Sequence, residues 1–254
     1  MPDTPVLTDR RGDVLLITLN RPEARNAINE ALANALAAVC DTLDNDPELR
    51  VGVLTGAGAG FSSGMDLKAF LAGEQPWHPT RGFAGITRRP PDKPLIAAVE
   101  GFAVAGGLEV ALACDLLVAA SDARFAVPEV SRALVATGGA LLRLPARMPA
   151  NAAMEMALTG DFVTAEDGHR LGFVNRLCSP GEAVGGALEL AARIARNGPL
   201  AVAATKRILA AAPSWGDAAW EQQDLVAAPV LGSEDAREGA RAFAEKRDPV
   251  WRGR

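Results

Sequence analysis

Uninterrupted apolar blocks alternate with amphipathic stretches over the first half of the chain, and amphipathic stretches dominate the second. Val14-Leu15-Leu16-Ile17-Thr18-Leu19 is a β-type run that Asn20-Arg21-Pro22 breaks. From Asn29 to Leu43 the apolar positions Leu32, Leu36, Val39 and Leu43 keep helical spacing, and Asn29 can cap the start. Residues 51–55, 95–99 and 115–119 read as three further strands, and residues 106–114 as a buried helix whose small residues permit close packing. A short helix is expected from about Asp66 to Leu71. Residues 73–82 show no period and are expected to form a mobile loop. From Gly139 onward the pattern predicts helices over 139–147, 150–158, 165–170, 182–196, 200–211, 215–226 and 234–244. Strands alternating with helices, followed by helices, imply an α/β core with a helical C-terminal region.

Composition narrows the function classes. The 254 residues are 49% hydrophobic, enough for a sizeable core. A net charge of −5 and the absence of Tyr speak against nucleic acid as the main partner. No window approaches 18 apolar residues, so no membrane helix is expected. The N-terminus lacks a basic patch followed by an apolar stretch, so no signal peptide is expected. Cys40, Cys114 and Cys178 are widely spaced, which suits a reduced, cytoplasmic setting. With His78 and His169 as the only histidines, a His-based metal site is not expected. Several helices are Ala-rich and apolar, which favours self-association. No internal sequence repeat is visible.

Two carboxylates stand out. Glu109 lies within Gly106-Gly107-Leu108-Glu109-Val110-Ala111-Leu112, and Glu129 within Phe125-Ala126-Val127-Pro128-Glu129-Val130. Burying an unpartnered carboxylate costs several kcal/mol or forces it to hold a proton, so apolar settings for both invite an acid/base reading. Partnered core carboxylates, a surface helix position for Glu109 or a strand end for Glu129 would be the plainer readings. Glu109 is three residues after Gly106, on the same helix face. Ala105-Gly106-Gly107 opens that helix, and its free N–H groups could stabilise an oxyanion. Close helix–sheet packing would explain the same glycines. The loop Gly56-Ala57-Gly58-Ala59-Gly60-Phe61-Ser62-Ser63-Gly64 fails the GxGxxG pattern at Phe61 and at Ser63, and lacks the Gly-Lys-Ser/Thr of a P-loop. Gly64 could instead turn the Met65 N–H into a pocket.

These pieces together resemble the crotonase (enoyl-CoA hydratase/isomerase) superfamily. The resemblance is carried by Asn20-Arg21-Pro22-Glu23-Ala24-Arg25-Asn26-Ala27, Phe61-Ser62-Ser63-Gly64-Met65-Asp66-Leu67-Lys68, Lys93-Pro94-Leu95-Ile96-Ala97-Ala98-Val99-Glu100-Gly101, Ala105-Gly106-Gly107-Leu108-Glu109, Cys114-Asp115 and Phe125-Ala126-Val127-Pro128-Glu129. Leu158-Thr159-Gly160, Gly172-Phe173-Val174-Asn175, Pro199-Leu200-Ala201 and Glu238-Gly239 through Phe243-Ala244-Glu245-Lys246-Arg247 extend it over essentially the whole chain. It implies an α/β crotonase (ClpP/crotonase-like) fold, with a repeated ββα spiral core over residues 1–195 and a helical oligomerisation region over 196–254. Trimers, often paired as hexamers, are implied as well.

The implied substrate is an acyl-CoA thioester. The Met65 and Gly106 N–H groups would bind its oxygen. Ser63, Met65, Asp66, Leu67 and Lys68, with Ala24, would line the CoA site, and Lys68 and Lys246 would sit near the CoA phosphates, the latter from a neighbouring subunit. Hydratases of the family use two glutamates, and Glu109 and Glu129 match them. The implied activity is therefore that of a hydro-lyase, hydrating a 2-enoyl-CoA to a 3-hydroxyacyl-CoA without a metal or redox cofactor. Thr137, in Val135-Ala136-Thr137-Gly138-Gly139-Ala140, departs from the pattern. Family members commonly carry Gly there, or an acid in dehalogenases and carnitinyl-CoA dehydratases, so Thr137 speaks against those two activities. Alternatives are another family reaction, such as double-bond isomerisation or dehydration of the carnitinyl-CoA kind, and a catalytically weak acyl-CoA-binding protein.

Overall fold

The computed structural model describes residues 4–254. In chain order it runs β1 (Val6–Arg11), β2 (Val14–Leu19), α1 (Glu30–Asn45), β3 (Val51–Gly56), α2 (Leu67–Leu71), β4 (Trp77–His78), β5 (Gly82–Phe83), β6 (Leu95–Val99), β7 (Phe102–Val104), α3 (Gly106–Ala113) and β8 (Leu116–Ala120). It continues with β9 (Arg124–Ala126), α4 (Ala140–Arg147), α5 (Ala150–Thr159), β10 (Val163–Thr164), α6 (Ala165–Leu171), β11 (Arg176–Cys178), α7 (Ala183–Ala195), α8 (Pro199–Ala211), α9 (Ala219–Leu231) and α10 (Glu234–Glu245).

The apolar runs become strands because both faces of the main sheet are covered, so neither side-chain set needs to be polar. Its order is β1-β2-β3-β6-β8-β11; β1 pairs antiparallel with β2, and every other pairing is parallel. Along β2, Leu15, Ile17 and Leu19 pack into the core shared with Leu32, Leu36 and Leu43 of α1, whereas Val14 and Leu16 face the other way. There α7 lays Ala183, Ala187, Ala191 and Ala195 against Val51, Val53, Ile96 and Val118. Alanines spaced by four make a flat stripe, which lets a helix lie close on a sheet. Asn29 caps α1 as expected, accepting from the Leu32 N–H at 3.0 Å.

A second sheet, ordered β10-β9-β7, stands beside the first. Twice the chain leaves a main-sheet strand, turns, adds a short strand here and enters a helix: β6-β7-α3, then β8-β9 and a 3-10 helix over Pro128–Arg132. An isolated bridge between Ser62 and Ala103 adds a third rung after β3. The repeated ββα unit is thus structural. It has no counterpart as a sequence repeat, because backbone hydrogen bonds rather than recurring side chains hold the rungs in register.

Two expectations are corrected, and the plainer reading of Glu129 as a strand end falls away. Residues 73–82 are not a featureless mobile loop: β4 and β5 form a hairpin, Trp77 packs edge-on against Phe83 at 5.0 Å, and the Arg81 side chain is only 2% exposed. Its guanidinium grips Asp41 of α1 at 2.6 Å and the Arg89 carbonyl at 2.6 Å. Glu129 sits in a 3-10 helix, not at a strand end. The helix expected over 215–226 begins four residues later, at Ala219, after two 3-10 turns. Beyond α7, Lys206 of α8 ties back to the core through Asp115 at 2.6 Å and the Pro91 and Lys93 carbonyls. No helix among the described residues is long and apolar enough to cross a membrane.

Candidate active site

The rungs of the second sheet bring three turns side by side. Ser62 bridges Ala103, and Ala103 pairs with Phe125. Met65 and Gly106 each follow their bridged residue by three positions, and Glu129 follows Phe125 by four, so all three emerge at one edge. Backbone bonds lock the stack: Val104 N–H to the Ser62 carbonyl at 3.0 Å, and Ala105 N–H to the Ala126 carbonyl at 3.0 Å. A cavity of about 410 Å³ opens there, bordered by Ser63, Met65, Leu67, Gly106, Glu109, Glu129 and Thr137.

The approach to the first turn is set by Asn26, which is completely buried. Its side chain accepts the Arg21 N–H at 3.0 Å and donates to the Ala57 and Gly60 carbonyls at 2.8 and 2.9 Å. Ser62 Oγ donates to the Asn26 carbonyl, and the Gly64 carbonyl accepts from Ile28 N–H. Gly64 has φ +94°, a conformation that side chains disfavour. Asp66 caps α2 and pairs with Arg21 at 2.9 Å. The Met65 N–H that results has no acceptor among the described residues.

Ala105 carries the second turn in an unusual backbone state, φ 52° and ψ −129°, directly before Gly106. A non-glycine residue there stores strain of order 1–3 kcal/mol, held by its surroundings. It aims the start of α3 at the cavity, where the Gly106 N–H, an orphan donor of the first helical turn, also finds no acceptor among the described residues. A side chain on Gly106 would meet the Phe83 ring at 2.5 Å and lie 3.4 Å from the Met65 nitrogen, so the two free amides border one small space.

The carboxylates have contrasting settings. Glu109 is 4% exposed. Burial pushes its carboxyl above the ordinary range, while the amides of Ala140, Gly138 and Gly139 and the charge of Arg143 pull it back. The Ala140 N–H reaches Glu109 Oε1 at 3.3 Å, and a side chain on Gly138 would collide with the carboxylate. Gly138-Gly139-Ala140 thus wraps the start of α4 around the Glu109 carboxylate, with the positive helix end toward it. Glu129 is raised by burial, lowered by its own N–H, raised again by the charge of Glu109 and lowered by Arg132. Its Oε2 is buried with no hydrogen-bond partner among the described residues. Two facing carboxylates resist being ionised together; Glu109 is the more deeply buried, but the turn amides and Arg143 favour its charged form.

Of the expected site residues, the fold gathers Ser63, Met65, Leu67, Gly106, Glu109 and Glu129 around one cavity. Thr137 borders it too. Ala24 does not border the cavity; the carbonyl of its neighbour Arg25 accepts the Ser63 N–H at 3.0 Å. Asp66 faces Arg21, and Lys68 is exposed on α2. Lys246 is at the end of α10 and does not border the cavity within one chain. The sequence pattern gave no sign of the aromatic wall of Phe70, Trp77, Phe83 and Phe162, nor of Arg132 and Arg143. The unpatterned stretch over 73–82 did hold Trp77, with Phe83 directly after its end, in a chain poor in aromatics, which was the available signal.

A model of the enoyl-CoA hydratase/isomerase family matches residues 9–254. An enoyl-CoA hydratase from Mycobacterium marinum superposes with a TM-score of 0.97 at 55% identity, covering 99% of this chain and 100% of that one. A carnitinyl-CoA dehydratase from Mycobacterium avium 104 gives 0.79 at 42%, covering 98% and 99%. A carnitinyl-CoA dehydratase from Salmonella paratyphi A is 46% identical over 255 residues, 96% of this chain and 97% of the relative. With the ββα spiral in place and the match running almost end to end, the chain belongs to the enoyl-CoA hydratase/isomerase family of the crotonase superfamily.

Proposed function

We propose that this protein adds water reversibly to a 2-enoyl-CoA thioester, giving a 3-hydroxyacyl-CoA. The observation that carries the reading is the unequal pair: an amide-wrapped Glu109 and a Glu129 with an unpartnered buried oxygen, both facing the cavity that the free Met65 and Gly106 amides border. The thioester oxygen accepts both amides, which strengthen their hold as enolate charge develops. Glu109, favoured as carboxylate by its amides and Arg143, takes a proton from water as the water oxygen bonds to C3. Glu129, with a buried oxygen that no donor reaches and the charge of Glu109 beside it, gives its proton to C2. The proton on Glu109 then returns to Glu129 through solvent, restoring both groups. Thr137 stands at the water side of this arrangement. No metal or redox group enters, and CoA arrives as part of the substrate.

Ala24, Ser63, Asp66, Leu67 and Lys68 form the rim assigned to the CoA moiety. Trp220, Leu225 and Leu231 of α9 and Phe243 of α10 are exposed. We read that face as covered by further copies in a trimer or pair of trimers, which would bring Lys246 to a neighbour's CoA phosphates.

A second reading keeps the proton chemistry and changes the acyl group. Relatives 46% identical to this chain are named carnitinyl-CoA dehydratases, and the Trp77 and Phe83 rings beside two carboxylates suit a trimethylammonium group. Arg132 and Thr137 favour a neutral acyl chain instead.

Crotonyl-CoA, with loss of the conjugated thioester absorbance followed, tests the reading against carnitinyl-CoA. Glu109→Gln and Glu129→Gln should each lower kcat by about 10²–10⁴-fold. Hydration that survives both substitutions would sink the two-glutamate mechanism. Acyl-CoA binding without turnover would make the protein a binding module.

A further inference from the structure

Arg143 is a partly buried cation with no carboxylate within ion-pair distance among the described residues. Leaving a guanidinium in such a place is costly unless its donors are used. They are used on backbone: Nη2 donates to the Thr87 carbonyl at 2.5 Å, and Nη1 to the Gly138 carbonyl at 3.4 Å. A side chain on Gly139 would collide with Nη1, so the glycine pair is shaped around this guanidinium as well as around Glu109. Thr87 belongs to the segment that Arg81 anchors to α1, and its N–H donates to the carbonyl of Phe83, which lines the cavity.

We propose that Arg143 is a positioning residue: it bolts the Phe83–Thr87 wall to the Gly138–Gly139 turn, keeps that turn's amides on the Glu109 carboxylate, and sets a positive charge beside it. The inference rests on the reading of Glu109 as the base. A methionine of similar length would pack in the same space but could neither tie the two carbonyls nor supply the charge. The other groups facing this pair are few. Glu129 approaches Glu109 from the 3-10 helix, with Arg132 behind it. Arg147, one turn along α4, donates to the Cys114 carbonyl at 2.7 Å, and burial keeps the Cys114 thiol neutral.

Arg143→Met and Arg143→Lys, compared across pH with crotonyl-CoA, test the role. Arg143→Met should lower kcat roughly 10–100-fold with little change in KM, the size expected when a reacting group is misplaced. It should also move the acid limb of kcat/KM to higher pH, because ionised Glu109 loses both its amides and its neighbouring charge. Arg143→Lys should bring the limb most of the way back. A folded Arg143→Met enzyme with an unmoved acid limb, or a Lys variant shifted as far as Met, would overturn the proposal. Melting temperature against pH gives a readout without turnover, so failure of the hydratase reading leaves this one decidable. The destabilisation by Arg143→Met should grow as pH rises through the titration of Glu109, and that growth should vanish in the Glu109→Gln background. Equal growth in both backgrounds would show that Arg143 does not act on Glu109.

Discussion

Gly64 and Gly106 approach so closely that a methyl group on Gly64 would sit 2.9 Å from the Gly106 nitrogen. The space between the two free amides therefore exists because both turns lack side chains. Gly64→Ala would fill it and force an alanine to φ +94°. The expected result is a loss of about 10²–10³-fold in kcat, the scale seen when an oxyanion donor is removed. Weaker acyl-CoA binding should accompany it. Steady-state kinetics beside a thermal melt separates this local effect from unfolding, and unchanged kcat in a folded variant would refute it.

Glu129 gives a pH-dependent stability prediction. Its folded carboxyl is raised by burial and, against its own N–H, by Glu109. The raised value means that its contribution to stability is fully present below the unfolded carboxylate range and is lost as pH rises through the folded value. Glu129→Gln cannot ionise. The variant should melt higher than the parent at neutral pH, by roughly 2–4 °C for each kcal/mol relieved, with the gap closing toward acid pH. A scan of melting temperature against pH checks both the sign and the window.

Arg81 holds the β4–β5 wall of the cavity from beneath, with its side chain buried and paired to Asp41 and Asp44. Arg81→Met should cost about 2–3 kcal/mol, the lower end for a buried cation whose main partner is half exposed. Through its hydrogen bond, Arg81 keeps the Asp41 carboxyl below the ordinary carboxylate range. That share of the stability is present above the unfolded carboxylate value and lost as pH falls through the folded one. The difference between variant and parent should accordingly shrink in acid, as read from denaturant midpoints.

Asn26 joins the first motif to the glycine loop through three side-chain hydrogen bonds while fully buried. Asn26→Ala should cost about 3 kcal/mol, since the lost bonds strand one buried and two part-buried backbone groups. It should also lower kcat, because the Ser62–Met65 turn hangs from the Asn26 carbonyl through Ser62 Oγ. Equilibrium unfolding measures the first effect, and turnover at a temperature where the variant stays folded measures the second.

The elements written in local pattern are legible in the amino-acid order alone. The capped helix with Leu32, Leu36 and Leu43, the apolar runs of β2 and β6, and the wholly buried α3 each declare themselves, because one face or the whole element must leave water. Glu109 is legible for the same reason: helical spacing alone ties it to Gly106. Strands β7, β9, β10 and β11 are not, since two or three residues cannot display a period, and backbone pairing with neighbours far along the chain creates them.

The residue types of the site, two carboxylates in apolar settings and glycines before a helix, were decided in the amino-acid order. Their family motifs already pointed to acyl-CoA chemistry. The unequal surroundings of the two carboxylates exist only in the folded chain. They depend on the amides of Gly138 to Ala140 and the guanidinium of Arg143, some thirty residues beyond Glu109, and on an oxygen of Glu129 left without a partner. Local sequence sets what a side chain can do. The field around it is the sum of charges and dipoles brought close by packing, and no local pattern contains that sum.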